Sequence, residues 1–265
     1  YAKSWLSLCD PVINGRPDVL EEICDGIIER RMQIKWSAGI SPVREIDRAL
    51  FDKMKQAGCY RLEFGIESAS DPVLKQMGKK YDAEIAGRML RNCKQAGIEA
   101  VIYLIVGFPG ESEEDFEKTL DFLRSHSDVI DRVRSVNGLI LVIGSPIERE
   151  PEKYGIDELH RDEFGWVSRW ASGSLTPTVR VDRIDRALEV LKSVGIPAEF
   201  SNREEVMAEK EKFAGRVTDI EKRLESFEQR MRAFMEKQEK VLRGEPVREN
   251  PFADQIALVL CPVWG

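Results

Sequence analysis

Two segments constrain the fold of this chain most: residues 61–70 (RLEFGIESAS) and residues 99–111 (EAVIYLIVGFPGE). Each is a run of apolar strand residues that breaks into glycine and a carboxylate, and each is followed by a stretch with the signals of a capped helix. Parallel α/β folds place their ligand sites at the carboxyl ends of the strands, where side chains and freed backbone groups meet. The two segments therefore predict a small-molecule site at that edge of a parallel sheet.

Three helical stretches end in the same way, with a polar or small residue, a glycine (Gly58, Gly97 or Gly195) and an apolar residue. A glycine just past a helix supplies the left-handed conformation that ends it, so each marks a return into a strand. Strands are expected near 5–9, 33–38, 61–66, 99–106 and 133–142, and helices near 18–31, 43–57, 82–96 and 112–125. Ser70-Asp71-Pro72 and Ser112-Glu113-Glu114-Asp115 have the composition of helix starts. Alternating strands and helices predict a parallel sheet with right-handed crossovers.

Composition limits the functional class. With 265 residues, 42% of them hydrophobic, the chain is long enough for one large domain and an appendage. It has no apolar run long enough to cross a membrane, which predicts no membrane partner. The net charge of −7 with interspersed basic residues argues against a nucleic-acid surface. The five cysteines are widely spaced, which favours reduced core thiols in a cytoplasmic protein over disulfides or structural zinc.

After about residue 201 the chain becomes a charged helical stretch. Apolar residues from Val217 to Val241 recur at alternating steps of three and four, which is a heptad pattern. We expect a coiled-coil or docking helix there, in cis or as an oligomer contact in trans. The predicted domains are thus a barrel over 1–200, a helical extension over 201–245, and a linker with an apolar strand-like tail over 246–265.

The chain also has features of an incomplete fold. It opens at Tyr1 just ahead of a predicted strand and stops directly after the apolar run 256–260. A barrel that begins with the strand near 5–9 would be one strand short. We therefore expect part of the fold to lie outside the chain.

Four ordered blocks resemble the radical S-adenosylmethionine (radical SAM) superfamily over about residues 1–200. They are LCDPVING, QIKWSAGI, MKQAGCYRLEFGIESASDPVLKQMGKK and AGIEAVIYLIVGFPGESEEDFEKT. Within this superfamily, the sequence is most similar to the branch that carries an N-terminal cobalamin-binding domain. The segments that carry this similarity are WSAGI, GIESAS, GFPGE and GSPIEREPEKYGI. The tail DQIALVLCPVWG resembles the first strand of such a domain, or is one more apolar strand or docking segment.

The resemblance implies a partial (β/α)6 TIM-like barrel that lacks its first strand. It implies a [4Fe-4S] cluster that cleaves SAM to a 5′-deoxyadenosyl radical, an electron donor of the flavodoxin or ferredoxin type, and a small-molecule substrate. Cobalamin, bound by a domain outside this chain, would serve methyl transfer or rearrangement. The cluster motif C-x3-C-x2-C is absent, so no metal ligand is assigned and the motif is expected upstream of Tyr1. The alternative is a barrel without a cluster that acts as a ligand-binding or interaction scaffold.

The resemblance also implies which residues bind SAM. Asp10 matches the position that meets the methionyl amino group, although it also suits a turn before Pro11. Glu67 and Ser68 match the polar pair at the ribose hydroxyls, with Gly65 allowing close approach. The alternative for Ser68 is that it starts the next helix.

Further positions follow from the same resemblance. Lys79 matches a basic residue at the SAM carboxylate, or forms a solvated pair with Lys80 at a helix end. The segment Val106, Gly107 and Pro109 matches the backbone that meets the adenine. Tyr103 stands where some relatives have an acid to the ribose, which puts a second ribose contact in doubt.

Several residues keep two interpretations. Glu111 either belongs to the loop fold or interacts with a helix dipole, and we favour the dipole. The turn Gly144-Ser145-Pro146 matches a rim loop or is a plain turn. Trp166 and Trp170 either line a substrate mouth or cover the barrel end, and cover is favoured. His126 and His160 are isolated, which argues against a zinc site or a Ser-His triad.

Overall fold

The computed structural model describes residues 4–8, 12–162, 164–165, 167–209, 229 and 232. Tyr1–Glu211 form one compact unit, and the fold below is that of this unit. Lys212–Gly265 form a second unit, of which the structure describes only two helical residues, Gln229 and Arg232. The heptad pattern and the apolar tail therefore lie outside the described residues, so the predictions for 201–245 and 246–265 stay predictions.

Strands and helices alternate as the sequence predicts. The strands are β1 Ser4–Leu8, β2 Ile34–Ile40, β3 Cys59–Glu67, β4 Glu99–Val106, β5 Arg132–Gly138, β6 Glu158–Arg161, β7 Val167–Ala171 and β8 Ala198–Ser201. The helices are α1 Pro17–Glu29, α2 Arg48–Gln56, α3 Asp71–Gln76, α4 Ala83–Gln95, α5 Glu113–Ser125, α6 Pro146–Arg149 and α7 Pro177–Ser193. Two 3-10 turns, Ile13–Gly15 and Pro151–Tyr154, complete the named elements.

Six strands form one parallel sheet in the order β1-β2-β3-β4-β5-β8. Among the described strands, β1 and β8 are the two edges of the sheet and do not pair with each other, which agrees with the predicted partial barrel. The sequence analysis does not predict β8. The glycine that ends the preceding helix, Gly195, nevertheless indicates that the chain returns to a strand at this point. β6 and β7 form a separate antiparallel pair.

The hydrophobic core lies between one face of the sheet and the helices. Leu62, Phe64 and Ile66 of β3 point to this face and are fully buried. The residues that alternate with them, Arg61, Glu63 and Gly65, are partly exposed and point to the other face. This alternation differs from the continuous apolar pattern of a parallel sheet covered on both sides.

The second face of the sheet carries a ladder of charged side chains. Arg61 and Arg132 both pair with Glu99 at 2.7 Å. Arg132 and Arg134 pair with Glu199 of β8. The ladder then reaches the site edge, where Glu63 accepts hydrogen bonds from Arg134 at 2.7 Å and from Tyr103 at 2.5 Å. With three basic and three acidic side chains, the ladder is electrically balanced.

Local signals in the sequence predict most boundaries correctly. Ser112 forms a capping box with Asp115 at the start of α5. The glycines that end α2, α4 and α7 all have positive φ, as expected. Ser70 stands at the N-cap of α3 but makes no side-chain cap bond, because its hydroxyl donates to Asp115 at 2.6 Å.

The predicted strand 133–142 is too long. β5 ends at Gly138, where the amide donates to the side chain of Asn202 and the ladder stops. The chain then turns through Gly144, which has a φ of 82°. Sequence periodicity misses this end because residues 139–143 are all apolar.

Trp170 covers the end of the sheet. Its side chain is 1% exposed, packs with Leu141, Ile156 and Leu175, and donates its indole N–H to the carbonyl of Leu139 at 3.2 Å. This agrees with the favoured interpretation of Trp170 as cover. Trp166 lies outside the described residues.

Three of the five cysteines are described, and all three are free and buried. Burial raises the pKa of Cys24 to about 11, and it raises the pKa of Cys59 and Cys93 further. They are core thiols, as predicted, whereas Cys9 and Cys261 lie outside the described residues. No helix in the described part of the chain has the length and apolar character to cross a bilayer.

Candidate functional site

Two cavities lie at the carboxyl edge of the sheet and share two lining residues, Glu67 and Lys79. The polar cavity has a volume of about 320 Å³ and is also lined by Gly39, Ser41, Glu63, Gly65 and Tyr103. The apolar cavity has a volume of about 260 Å³ and is also lined by Ile105, Phe108, Leu139, Ile147 and Tyr154. The Glu67–Lys79 pair is therefore accessible from both cavities, where the sequence predicts a ligand site.

Glu67 has an unusual backbone conformation. Its φ is 61°, in the left-handed region that favours glycine. A register shift between Gly65 and Glu67 accompanies it, so β3 contains a bulge against β4. Residues with a Cβ take up this conformation at a cost, and such strain is concentrated at functional sites.

Lys79 is the partner of Glu67. Its ammonium lies 3.1 Å from the Glu67 carboxylate, and the two side chains are 32% and 16% exposed. The structure thus brings Lys79 to the cavities, whereas Lys80 is exposed. Because Lys79 is partly exposed to solvent, the ion pair contributes only about 0–1 kcal/mol to the stability of the fold. A ligand with its own charges can exchange with it at little cost.

Gly65 makes room for the carboxylate. A Cβ at this position would lie 2.9 Å from Oε1 of Glu67, which is closer than real contacts allow. The absence of a side chain at Gly65 therefore lets the Glu67 carboxylate fold back over the strand. Gly65 also lines the polar cavity, and its expected role in close approach of a ligand stays a prediction.

Ser68 lies elsewhere. Its side chain is fully buried, and its hydroxyl contacts the Thr119 hydroxyl at 3.2 Å and accepts from the amide of Ser70 at 3.1 Å. The structure thus does not bring the Ser68 side chain to either cavity. Its hydrogen bonds place it in the turn that leads into α3, the alternative left open for it.

The loop after β4 contributes different residues from those expected. Ile105 and Phe108 line the apolar cavity, whereas Val106, Gly107 and Pro109 are buried outside both cavity linings. Alternation along β4 explains the difference, because Val106 points to the helices and Ile105 to the opposite face. The strand period would have identified Ile105.

Glu111 belongs to the loop fold, so the favoured helix-dipole interpretation is wrong. Its carboxylate accepts from the Gly107 amide at 2.7 Å and from Arg183 of α7 at 2.7 Å. Burial raises the pKa of Glu111 to about 7, although Arg183 opposes the shift. The carboxylate closes the loop and ties it to α7.

The remaining positions lie around the rim. Asp10 is outside the described residues, but Val12 lines the polar cavity. Ser145 caps α6, and Ser145 and Pro146 line the apolar cavity, which supports the rim-loop interpretation. Sequence reasoning missed Tyr81, because it belongs to no recognisable motif. Its hydroxyl contacts the backbone carbonyls of Gly65 and Ile66, which precede Glu67.

The described residues do not fit a [4Fe-4S] cluster, which is held by cysteine thiolates. Cys24 and Cys93 lie in α1 and α4, and Cys59 starts β3, at the end away from the cavities. Within the described ranges, no three His, Cys, Asp or Glu side chains are arranged to hold a metal ion. No chemical step is therefore derived through a cluster.

Comparison with known families identifies the scaffold around this site. Residues 14–123 match the model of the radical SAM superfamily, and this range includes Gly65, Glu67 and Lys79. The chain is thus similar to the radical SAM superfamily over these residues, about two fifths of its length. The matched range ends inside α5, so β5, α7 and β8 lie entirely after it in the chain.

Curated relatives share parts of the chain. An uncharacterized methyltransferase of Pyrococcus horikoshii is 33% identical over 98 residues, which cover 37% of this chain and 21% of the relative. A tRNA-2-methylthio-N(6)-dimethylallyladenosine synthase of Saccharopolyspora erythraea is 44% identical over 68 residues, or 25% of this chain and 14% of the relative. The matches thus span 21% and 14% of those two relatives, so the chain corresponds to only a small part of each. Because one relative is named for a tRNA modification, the expectation that nucleic acid is excluded as a partner is not supported.

A solved structure shares the fold. The radical SAM methyltransferase TsrM from Kitasatospora setae, with cobalamin and a [4Fe-4S] cluster bound, superposes with a TM-score of 0.57 at 18% identity. The superposition covers 72% of this chain and 42% of TsrM. This likeness shows a shared fold, and it extends over more of the chain than the family match. Members of this superfamily use SAM and a [4Fe-4S] cluster.

Proposed function

We propose that this chain is the SAM-binding core of a radical SAM enzyme, with SAM lying across the Glu67–Lys79 pair. The observation that carries the proposal is the conformation of Glu67. Its φ of 61° and the bulge before it direct a largely buried carboxylate to two adjoining cavities. A fold keeps such strain where a ligand requires it.

The chemistry of the two cavities suits the parts of SAM. The Glu67 carboxylate accepts hydrogen bonds from the ribose diol, since each of its oxygens can take one. The adenine lies in the apolar cavity against Ile105 and Phe108. The methionyl end lies in the polar cavity, where Lys79 binds its carboxylate. Asp10 remains the proposed partner of its amino group.

Binding replaces one ion pair by two contacts to the ligand. In the free protein Lys79 neutralises Glu67 at 3.1 Å. Once SAM is bound, Lys79 moves to the ligand carboxylate and Glu67 to the ribose. The balanced ladder around Glu63 carries no excess charge that would oppose the zwitterionic methionyl group.

Equilibrium dialysis with radiolabelled SAM tests this site. Glu67→Ala is expected to weaken SAM binding about tenfold or more, because a carboxylate with two bonds to the diol is lost. Glu45→Ala is the matched control: Glu45 also pairs with a basic side chain, Arg88, at 2.9 Å, but lies outside both cavities. Unchanged affinity in Glu67→Ala would remove the ribose assignment.

The proposed reaction of the whole protein is methyl transfer or rearrangement at an unactivated carbon, linked to cobalamin. The methyltransferase names among the relatives and the cobalamin in TsrM support this proposal. In such an enzyme the bound cofactors supply the radical chemistry. This chain's residues bind and orient SAM and exclude water from it.

The second proposal is a SAM-binding scaffold without a cluster, which is favoured by the poor fit of the three described cysteines. Anaerobic reconstitution of the full-length protein with iron and sulfide distinguishes the two. A catalyst gives cluster absorbance and forms 5′-deoxyadenosine from SAM on reduction, whereas a scaffold binds SAM and gives neither. Adding tRNA to the reduced enzyme then tests a nucleic-acid substrate against small molecules.

A further inference from the structure

The connection between α3 and α4 holds the bulge of β3 at two points. Lys79 contacts the Glu67 carboxylate, as described above. Two residues later, the Tyr81 hydroxyl lies 2.7 Å from the carbonyl oxygen of Gly65 and 3.1 Å from that of Ile66. One short segment therefore contacts both the side chain and the backbone of the site.

We propose that Tyr81 is a positioning residue, whose hydroxyl holds the two carbonyls before Glu67 and thereby directs the Glu67 carboxylate to the ligand. The ligand named in the test, SAM, rests on the function proposed above. The positioning role itself rests on the bulge and on the two hydrogen-bond distances.

The two carbonyls show what Tyr81 does to the backbone. Successive carbonyls of a regular strand point to opposite sides, so one hydroxyl cannot reach two in a row. At the bulge, the carbonyls of Gly65 and Ile66 both lie within hydrogen-bond distance of the Tyr81 oxygen. The hydroxyl thus stabilises the irregular backbone that gives Glu67 its left-handed φ.

Tyr81 is itself held firmly. Its side chain is 6% exposed, and the next residue, Asp82, caps α4 by accepting from the Ile85 amide at 2.8 Å. The Ala83 amide donates to Asp71 at 3.0 Å, which ties the start of α4 to α3. Burial, and then the charge of Glu67, raise the pKa of Tyr81. The phenol therefore stays protonated and donates near neutral pH.

The first test compares two ligands. Tyr81→Phe keeps the ring and removes only the hydroxyl. Dissociation constants are measured for SAM and for a SAM analogue that lacks both ribose hydroxyls. The wild type is expected to prefer SAM about tenfold or more, because the carboxylate bonds to the diol are lost with the analogue.

In Tyr81→Phe this preference is expected to fall to about twofold, with the affinity for the analogue unchanged. Tyr60→Phe is the control. Tyr60 lies in β3, the strand that contains Glu67, but at the end of the strand away from the two cavities. A merely structural role would weaken both ligands equally and keep the preference. That result would overturn the proposal.

The second test needs no ligand. If Tyr81 holds the left-handed turn, Glu67→Gly has a higher urea midpoint than Glu67→Ala while Tyr81 is present. In the Tyr81→Phe background the turn is free to relax, and the difference between the two midpoints is expected to disappear or to reverse to the ordinary order, with alanine more stable. A difference that persists unchanged would overturn the proposal. Failure of the wild type to bind SAM would refute the proposed function, while this comparison still decides the role of Tyr81.

Discussion

Exchanging alanine and glycine at position 67 isolates the backbone strain on which the site assignment depends. Both Glu67→Ala and Glu67→Gly remove the carboxylate and its ion pair with Lys79, so these losses cancel when the two variants are compared. In an ordinary strand, a variant with glycine has a free energy of unfolding about 0.5–1 kcal/mol lower than the variant with alanine. At a φ of 61° the order is expected to reverse.

The size of the reversal follows from the conformation. A left-handed residue with a Cβ costs roughly 1–2 kcal/mol, while the added freedom of glycine in the unfolded chain costs about 0.5–1 kcal/mol. Glu67→Gly is therefore expected to be more stable than Glu67→Ala by about 1 kcal/mol. The free energies of unfolding are obtained by linear extrapolation from urea titrations followed by circular dichroism.

The chain offers two matched controls. Arg31 has a φ of 51° in the turn after α1, away from both cavities, and should show the same reversal. Lys35, an exposed residue of β2, should show the ordinary order with alanine more stable. If alanine is as stable as glycine at position 67, Glu67 is not strained and the argument from strain to function is refuted.

Three other variants have definite expected results. Gly107→Ala should lose about 2–4 kcal/mol in urea titrations, since φ is 73° and the new Cβ would lie 2.5 Å from Cγ of the buried Arg180. Burial raises the folded-state pKa of Glu111 from 4.5 to about 7, so the stability that Glu111 contributes relative to Glu111→Gln is largest below pH 4.5 and falls as the pH rises to about 7. Urea titrations across this range check it, and a contribution that rises with pH would contradict it. Lys79→Met should weaken SAM binding about tenfold in dialysis but leave decarboxylated SAM unaffected, and an equal loss for both would refute the carboxylate contact.

Local signals in the sequence predict much of the scaffold. Helix-ending glycines at Gly58 and Gly97 and the capping box at Ser112 place element boundaries within a few residues, because their physics involves only near neighbours along the chain. The strand–glycine–carboxylate pattern of 61–70 also directs attention to the carboxyl edge of the sheet, where the two cavities that share Glu67 and Lys79 lie.

Long-range contacts account for what the sequence does not predict. Ser68 has the side chain and the position expected of a ligand-binding residue. Its hydroxyl is instead hydrogen-bonded to the hydroxyl of Thr119, 51 positions away in the chain. Glu111 is held by Arg183, 72 positions away, which no local pattern indicates. Tyr81 and the positive φ of Glu67 were missed because both arise when α3, α4 and β3 pack together.

A crystal structure of the protein with SAM bound tests the central claim most directly. The ribose hydroxyl oxygens are expected within about 3 Å of the Glu67 carboxylate, with Lys79 turned to the methionyl carboxylate and the Tyr81 hydroxyl still on the two carbonyls. SAM bound elsewhere, with the Glu67–Lys79 pair unchanged, would contradict the account.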